Sequence, residues 1–405
     1  MKHYLAPTPD NLAWPTSASI ETCEIADDGA VLVRWADQQL SRFHPLWLRD
    51  NCACDVCLHA FTREHLTDLL DLPLDIKAEQ VKLDADGALV VNWQLGKHVS
   101  VFNPGWLFAH SGLSQEQDSQ GQGSEPLLWT ATDLPEPLSF NAVDEQVSDD
   151  MLLEVLLAVE RTGLARIRNA GSSRDTIEAL GLRVGPVRET HFARIFDVIS
   201  LADGDSNAYT SERLSAHTDI PTREAPPGLQ VLHCLVAEAD GGESTMTDGF
   251  KVAADLADQF PQDFAILSTV KWCFANRGGN TDYRWQAPII NVDSDGKVFE
   301  LRLLPFSRAP LMTEYKNIEP VYRALQRFMA MANSPEYQMS YKFAAGDIVI
   351  FDNRRILHGR EEFFPQSGDR ELRGLYLDRD DMHSKIRMHA NSRNKQDCEL
   401  MGSEV

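Results

Sequence analysis

Short strand-like segments fill the C-terminal half of the chain, and this pattern limits the possible folds more than any other feature. After Glu189, apolar residues recur in runs of strand length, which read HFARIFDVIS, GLQVLHCLVA, ESTMTDG, APIINV, VFELRLL, MSYKFA, DIVIFDN and ELRGLYLD. Helical spacing interrupts them near 250–260 and 318–333. Many short strands with helical inserts predict a mainly β domain built as a two-sheet sandwich or barrel, of which the double-stranded β-helix, or jelly roll, is one solution.

Two helices are predicted before these strands. The segment DDMLLEVLLAVERTG has apolar residues at helical spacing and a stop at Gly163, after which LARIRN is a predicted strand. A second helix is predicted at about 173–184. We assign both helices to the same domain as the strands that follow.

Residues 20–110 form a separate pattern. The segments AVLVRWAD, ALVVNWQL and HVSVFNPGWL alternate apolar and polar residues, as half-buried strands do. We find no internal repeat. The stretch GLSQEQDSQGQGSE is nearly devoid of large apolar residues and predicts a mobile linker. The sequence therefore predicts a small β-rich domain at 1–112, a linker at 113–125 and a larger domain at 126–405.

Composition argues against two classes of partner. The 405 residues carry a net charge of −23, which repels phosphate backbones, and no cluster of Lys and Arg forms a track for nucleic acid. No segment reaches the roughly 18 apolar residues that a membrane helix requires, and the N-terminus lacks the basic start and apolar run of a signal peptide. We expect a cytoplasmic protein that binds neither nucleic acid nor membranes.

Two histidines and an aspartate form a candidate metal site. His217 and Asp219 are one residue apart in LSAHTDIP, and residues i and i+2 of a strand or its extension point to the same side. His358 follows an apolar strand and a polar turn in GDIVIFDNRRILHGREEF. Two histidines and one carboxylate leave three metal positions open, the arrangement that non-haem Fe(II) oxygenases use for a bidentate co-substrate and O2. The pattern predicts oxidation at an iron centre.

Arg370, in the strand RELRGLYLD, is the candidate anchor for an anionic co-substrate. A guanidinium can hold the far carboxylate of a dicarboxylate by two parallel hydrogen bonds while the keto acid end chelates iron. Arg373 is the competitor, because it projects to the opposite face of the strand from Arg370 and Tyr376. One of the two arginines is therefore expected to be merely solvated.

Several ordered segments together resemble a known family. They read WLRDNCACDVC, NAYTSERLSAHTD, PPGLQVLHC, GGESTMTDGF, GDIVIFDNRRILHGR and LRGLYLDRDDMHSKIR. They are similar to the γ-butyrobetaine dioxygenase and trimethyllysine dioxygenase branch of the taurine dioxygenase-like superfamily. The resemblance runs through nearly the whole chain.

This resemblance implies a jelly-roll catalytic domain that uses Fe(II), 2-oxoglutarate and O2. 2-Oxoglutarate would be decarboxylated to succinate and CO2 while an unactivated C–H bond is hydroxylated. The iron ligands would be His217, Asp219 and His358. Arg370 would bind 2-oxoglutarate, and Ser244 and Leu232 would touch it, with ordinary strand packing as the alternative for these last two. The family also implies a homodimer.

A cysteine cluster predicts a second metal site. Three of the seven cysteines fall close together: Cys52, Cys54 and Cys57. Their spacing is too short for a disulfide framework, whereas three thiolates and the imidazole of His98 make a closed tetrahedral zinc site that stabilises a small domain. His59 and His65 are alternative fourth ligands, although His59 is close enough to Cys57 to strain the geometry. The family resemblance includes an N-terminal zinc module.

Aromatic residues are the candidates for substrate recognition. A quaternary ammonium group cannot donate hydrogen bonds, so proteins hold it with the faces of aromatic rings. The resemblance assigns this cage to Phe192, Phe196, Tyr209 and Tyr376. Two of these positions are Phe where the family can have Tyr or Trp, which weakens the electrostatic attraction. Core packing is the alternative role for these rings, for Phe196 in particular.

Two departures from the family concern the other end of the substrate. The family's γ-butyrobetaine enzymes orient the substrate with an asparagine at the position of Ser206 and with an Asn-Asn turn where this chain reads LRLLPFSRAP. The carboxylate end of the substrate would then be recognised differently, with Arg302 and Arg308 as candidates, or the substrate itself would differ.

We therefore predict a hydroxylase of a small trimethylammonium substrate, with the conversion of γ-butyrobetaine to L-carnitine as the leading reaction. A dioxygenase for trimethyllysine or another small betaine, carboxylate or sulfonate is the alternative within this class. A non-catalytic jelly-roll sensor is the alternative from another class, and a sensor has no need of three iron ligands. The fold alone does not settle the substrate, because recognition depends on the residues of the pocket.

Overall fold

The computed structural model describes residues 18–112, 125–199, 210–278 and 280–389. The chain divides into two compact units, of which the first contains residues 1–123 and 388–405 and the second contains residues 124–387. Within the described ranges, no helix combines the length and the apolar character needed to span a bilayer.

The first unit contains two three-stranded antiparallel sheets, each followed by a short helix. Its elements are β1 (Ile20–Ile25), β2 (Val31–Trp35), β3 (Leu40–Phe43), α1 (Pro45–Asp50), β4 (Ala78–Leu83), β5 (Leu89–Trp93), β6 (Val99–Phe102) and α2 (Pro104–Ala109). The sheet orders are β1-β2-β3 and β4-β5-β6, and residues of both sheets share one apolar core. The predicted strands near 30 and 88 are confirmed, whereas HVSVFNPGWL is a strand only as far as Phe102 and then a helix with Asn103 as its N-cap.

The two halves of this unit have the same design, so the inference that the sequence has no internal repeat is wrong. Trp35 ends β2 and its indole N–H donates to Ser41 Oγ at 2.7 Å, and Trp93 ends β5 and donates to Ser100 Oγ at 2.8 Å. Each half then enters its helix through a polar N-cap followed by proline. The repeat is hard to see in the sequence because most strand residues differ and the cysteine-rich segment separates the two copies.

The second unit is mainly β with helical inserts, as predicted. Its elements are β7 (Ser139–Asn141), α3 (Asp149–Thr162), β8 (Leu164–Arg168), α4 (Thr176–Val184), β9 (Phe196–Ile199), β10 (Leu214–His217), β11 (Leu229–Ala237), β12 (Asp240–Gly241), β13 (Ser244–Asp248), α5 (Gly249–Gln259), α6 (Pro261–Thr269), β14 (Trp272–Gly278), β15 (Thr281–Ala287), β16 (Ile290–Val292), β17 (Val298–Leu301), α7 (Tyr315–Ala332), β18 (Gln338–Tyr341), β19 (Ile348–Asp352), β20 (Ile356–Arg360), β21 (Phe363–Phe364) and β22 (Arg370–Leu377). The predicted stop of α3 is confirmed, because Gly163 caps the helix at φ 86°.

Two sheets pack against each other in this unit and form the double-stranded β-helix. A six-stranded sheet has the order β7-β8-β19-β11-β22-β9, and a four-stranded sheet has the order β10-β20-β13-β18. Leu232 and Phe351 of the larger sheet and Met246 of the smaller one belong to a single buried cluster between them. Helices α3 and α4 cover the outer face of the larger sheet, and α5, α6 and α7 pack on the smaller one.

The segment HFARIFDVIS is shorter as a strand than predicted. Only Phe196–Ile199 pairs with β22, because Thr190 and Ala193 close a turn in which Ala193 has φ 74°. Phe192 therefore lies on a turn, and Phe196 begins the edge strand of the larger sheet.

Candidate active site

Strands β10 and β20 bring the three predicted iron ligands together. The two strands pair antiparallel with His217 directly opposite His358, and Asp219 lies just past the end of β10. The Nε2 atoms of His217 and His358 lie 3.4 and 3.6 Å from Asp219 Oδ1. All three donor atoms lie within 4.8 Å of one another, so these side chains can bind a single ion.

The separations fit a first-row divalent metal ion. With metal–ligand bonds of about 2.1 Å, neighbouring donors of an octahedral set lie about 3 Å apart, slightly closer than the donors here. The Nδ1–H of His217 donates to the Ser215 carbonyl at 2.9 Å, which leaves the Nε2 lone pair of His217 directed at Asp219.

The protonation states also suit metal binding. Burial, followed by the neighbouring His217, lowers the pKa of His358 to about 3, so its imidazole is neutral at physiological pH. Burial by itself would raise the pKa of Asp219, but the two imidazoles and a hydrogen bond from Tyr376 lower it well below its usual range. The cluster therefore combines an ionised carboxylate with the neutral imidazole of His358, and both groups are in the form that binds a divalent cation.

Asn353, which was not predicted as a site residue, holds the backbone at Asp219. This buried side chain follows β19; its Oδ1 accepts a hydrogen bond from the Asp219 N–H at 2.7 Å, and its Nδ2 donates to the Asp219 carbonyl at 3.0 Å. In the sequence, an Asp-Asn pair after a predicted strand indicates only an ordinary turn. No local pattern indicates that the Asn353 side chain contacts Asp219.

A cavity beside this cluster is lined by residues of both sheets. Besides the three metal-site residues, its lining includes the following predicted residues: Phe192, Phe196, Leu232, Ser244, Arg370 and Tyr376. Tyr209 and Ser206 lie outside the described residues. The other residues predicted for the 2-oxoglutarate site and for the aromatic cage thus all reach the same cavity.

Arg370 faces the cavity and Arg373 does not. Arg370 begins β22 and, among the described residues, has no carboxylate partner; burial lowers its pKa. Arg373 lies on the opposite face with its Nη1 3.5 Å from Asp197 Oδ1, so it is paired rather than merely solvated. A half-buried guanidinium without a counter-ion favours an anionic ligand at this end of the cavity.

Two more polar side chains line the cavity, and the sequence analysis named neither. Arg360, opposite Ser244 on β13, donates to the carbonyls of Thr210 and Glu212 at 2.6 and 2.8 Å. Gln230, opposite Tyr376 on β22, is buried, and its Oε1 has no hydrogen-bond partner within the described part of the chain. A buried amide of this kind is available to a bound ligand.

The aromatic side chains of the cavity converge. The Phe196 and Tyr376 rings stack with centroids 5.0 Å apart and an interplanar angle of 29°, and the Phe192 ring lies 6.3 Å from Phe196. The Phe196 ring lies directly over Gly374, where an added Cβ would be 2.4 Å from Phe196 Cζ. Glycine at 374 therefore makes room for the ring against the sheet.

The two arginines considered for the substrate carboxylate do not reach the cavity, so that prediction is wrong. Arg302 is buried against Glu300, with its Nε 2.5 Å from Glu300 Oε1, and it donates to carbonyls of the 221–224 loop. Arg308 donates to the Pro305 carbonyl. The same segment instead places Phe306 in the cavity lining, edge-on to His217 at 4.9 Å.

The cysteine cluster lies in the first unit. The Sγ atoms of Cys52, Cys54 and Cys57 lie 3.3, 3.7 and 3.6 Å from His98 Nε2. His98 belongs to this cluster, whereas His59 and His65, the alternative candidates, lie outside it. Arg49 Nη1 donates to Cys57 Sγ at 3.2 Å, which suits a sulfur that carries negative charge.

Comparison with known proteins agrees with this geometry. Residues 128–376 match the family described as "Taurine catabolism dioxygenase TauD, TfdA family", and residues 25–108 match "Gamma-butyrobetaine hydroxylase-like, N-terminal". The chain is 42% identical over 360 residues to a gamma-butyrobetaine dioxygenase from Pseudomonas sp. (strain AK-1), which covers 88% of this chain and 92% of that protein.

Two further relatives extend the comparison. A gamma-butyrobetaine dioxygenase from Homo sapiens is 32% identical over 383 residues, covering 89% of this chain and 95% of that protein. A mitochondrial trimethyllysine dioxygenase from Gallus gallus is 31% identical over 396 residues, covering 95% and 90%. These matches confirm the resemblance found in the sequence, and the chain belongs to the TauD/TfdA family of Fe(II)- and 2-oxoglutarate-dependent dioxygenases, in the branch of the γ-butyrobetaine and trimethyllysine dioxygenases.

Proposed function

We propose that this dioxygenase hydroxylates a small trimethylammonium carboxylate, with γ-butyrobetaine to L-carnitine as the leading reaction. The observation that carries the proposal is the set of aromatic rings beside the metal cluster, Phe192, Phe196 and Tyr376, which line one cavity with His217 and His358. Such rings attract a quaternary ammonium group through their quadrupoles. The names of the relatives at 42% and 32% identity support the same substrate.

In this proposal, different residues of the cavity bind the metal, the co-substrate and the substrate. His217, Asp219 and His358 would hold Fe(II), and Arg370 would hold the far carboxylate of 2-oxoglutarate, with Ser244 and Leu232 beside it. When bound, iron and 2-oxoglutarate supply the oxidising chemistry that places one oxygen atom of O2 into a C–H bond. The protein's contribution is to orient the substrate by its cationic end, and the apolar walls at Leu214 and Leu372 keep water away from the reacting carbon.

Coupled turnover tests the proposal. The protein is reconstituted anaerobically with Fe(II), and succinate formation from 2-oxoglutarate is measured with and without γ-butyrobetaine, with trimethyllysine and related betaines in parallel and His217→Ala as the control. Succinate that appears together with L-carnitine supports the leading reaction. Coupling only to another betaine replaces the substrate and keeps the reaction class.

Gly374→Ala should weaken binding of the substrate more than binding of the co-substrate. The added methyl group displaces the Phe196 ring, which lies 2.4 Å from the position of the new Cβ. The KM for the trimethylammonium substrate should rise by about 3- to 30-fold, the value of one cation–π contact. Steady-state kinetics measures both KM values, and the KM for 2-oxoglutarate should change less, because the new Cβ lies 3.1 Å from Leu232 Cδ2 and only 2.4 Å from the Phe196 ring.

A double-variant cycle provides the control for this effect. Phe196→Leu removes the same ring, so adding Gly374→Ala to it should raise the KM little further. If the two substitutions raise the KM independently of each other, Gly374 affects substrate binding through a contact other than the Phe196 ring.

We further propose that the cysteine cluster binds structural zinc. Zinc bonds of about 2.3 Å to sulfur and 2.0 Å to nitrogen put these donors about 3.5 Å apart in a tetrahedron. The separations of 3.3, 3.7 and 3.6 Å support this ion. The site would be closed by four protein ligands, so its role would be structural rather than catalytic.

Cys54→Ser should lower the zinc affinity by more than about 100-fold, because losing a ligand costs more than losing an outer-shell partner. Zinc release is followed with a colorimetric chelator. Cys23→Ser is the matched control, since Cys23 lies on β1 outside the cluster and should retain full zinc. Equal zinc content in both variants would exclude the site.

Three predictions from the sequence stay predictions. They are the division into a zinc-binding domain at 1–112 and a catalytic domain at 126–405, the homodimer and the cytoplasmic location. Light scattering of the purified protein tests the homodimer.

A further inference from the structure

Tyr376 contacts the metal cluster through its hydroxyl. The side chain is buried on β22, and its O–H donates to Asp219 Oδ2 at 2.8 Å. The other carboxylate oxygen, Oδ1, is the one that lies 3.4 and 3.6 Å from the Nε2 atoms of His217 and His358. The two oxygens of Asp219 therefore have different partners.

This division fixes the orientation of the carboxylate. Asn353 already holds the backbone of Asp219 at both its N–H and its carbonyl, which leaves the side-chain torsions as the remaining freedom. A donor on Oδ2 restricts rotation of the carboxylate and directs Oδ1 toward the imidazoles. Outer-shell hydrogen bonds of this kind orient metal ligands, and losing one typically costs about 10- to 100-fold in metal affinity or activity.

The ring of the same residue forms part of the cavity wall. It stacks on Phe196 at 5.0 Å, and Gln230 lies opposite it on β11. Tyr376 thus presents its ring to the place proposed for the trimethylammonium group and its hydroxyl to the metal-binding carboxylate. No other aromatic side chain among the described cavity residues has a hydrogen bond to the metal cluster.

We propose that Tyr376 is a positioning residue whose hydroxyl orients Asp219 for metal binding, and that it thereby ties the metal site to the ring already assigned to the substrate's cationic group. The part that concerns the ring rests on the proposed function. The part that concerns the hydroxyl rests on the metal cluster alone.

Two variants of Tyr376 distinguish the role of its hydroxyl from the role of its ring. Tyr376→Phe keeps the ring and removes the donor, so the dissociation constant for Mn(II), measured by electron paramagnetic resonance, should rise about 10- to 100-fold. The KM for the trimethylammonium substrate, measured at saturating Fe(II), should change less than about threefold, because the ring face remains. Tyr376→Leu should lose metal affinity to the same extent as Tyr376→Phe. It should also raise the KM for the trimethylammonium substrate by about 3- to 30-fold relative to Tyr376→Phe, because the ring is lost.

Phe196→Leu is the matched control, because it removes a cage ring that stacks on Tyr376 but has no group that can donate a hydrogen bond to Asp219. It should raise the substrate KM and leave Mn(II) affinity unchanged. Mn(II) affinity within twofold of wild type in Tyr376→Phe would overturn the positioning role. If wild type fails to turn over any trimethylammonium compound, the proposed function fails, and the Mn(II) titration still decides the role of the hydroxyl.

Discussion

Asp219→Ala is expected to lower kcat/KM for coupled turnover by more than about 100-fold, the upper end of the cost of losing an outer-shell partner of a metal. The substitution removes the one carboxylate of the cluster and leaves two imidazoles, whose donors alone hold a divalent cation weakly. It also removes the acceptor for the Tyr376 hydroxyl. Metal affinity and activity should therefore fall together.

The measurement is succinate formation at increasing Fe(II), with Mn(II) titration in parallel. Asp197→Ala is the matched control, because Asp197 lies on β9 of the same unit and forms a partly exposed ion pair with Arg174. That variant should keep wild-type turnover. Activity within tenfold of wild type in Asp219→Ala would exclude Asp219 as an iron ligand.

The sequence located the metal cluster because short-range rules decide it. His217 and Asp219 share a side by the two-residue period of a strand, and the same period separates Arg370 from Arg373. The structure places Arg370 in the cavity and Arg373 against Asp197, on the face that the period predicts. Such predictions need only the position of a strand and no knowledge of its neighbours.

The contacts that orient the cluster depend on long-range register, which one sequence does not contain. Asn353 reaches Asp219 across 134 positions and Tyr376 reaches it across 157. The prediction of Arg302 as a ligand for the substrate carboxylate was wrong for the same reason. Arg302 lies in the predicted strand VFELRLL, but its guanidinium binds Glu300 and the 221–224 loop, and Phe306 lines the cavity instead. No local pattern distinguishes these outcomes.

Weak periodicity explains the elements that were missed. Strand β15 alternates exposed and half-buried residues along most of its length, so TDYRWQA contains no apolar run, although it pairs with β14 throughout. Helix α6 follows α5 with a break of one residue at Phe260, and the helical insert predicted near 250–260 covers α5 only. In both cases packing, rather than propensity, decides the structure.

The largest effect on stability is expected at a buried ion pair that does not line the cavity. Arg355 and Asp248 interact bidentately, with Nε–Oδ1 at 3.0 Å and Nη2–Oδ2 at 2.8 Å, and their side chains are 2% and 0% exposed. Asp248 also caps α5 by accepting from the Phe250 N–H, and Arg355 donates to the Leu127 and Arg161 carbonyls. The pair therefore connects β13, the β19–β20 turn and the end of α3.

Arg355→Met should lower the free energy of unfolding by about 3–5 kcal/mol, because it leaves the carboxylate of Asp248 buried without a counter-charge. Urea denaturation followed by circular dichroism measures the loss. Arg323→Ala is the surface control; Arg323 is 55% exposed and pairs with an exposed Glu319, so its effect should stay below about 0.5 kcal/mol.

A second substitution tests whether the unpaired charge of Asp248 causes the loss of stability. Asp248→Asn in the Arg355→Met background removes the charge and keeps an oxygen that can accept from Phe250 N–H, so the double variant should be more stable than Arg355→Met alone. Further loss in the double variant would assign the effect instead to the hydrogen bonds that Arg355 makes to the two carbonyls. Because burying an unpaired charge costs more than losing two hydrogen bonds to carbonyl oxygens, we expect recovery.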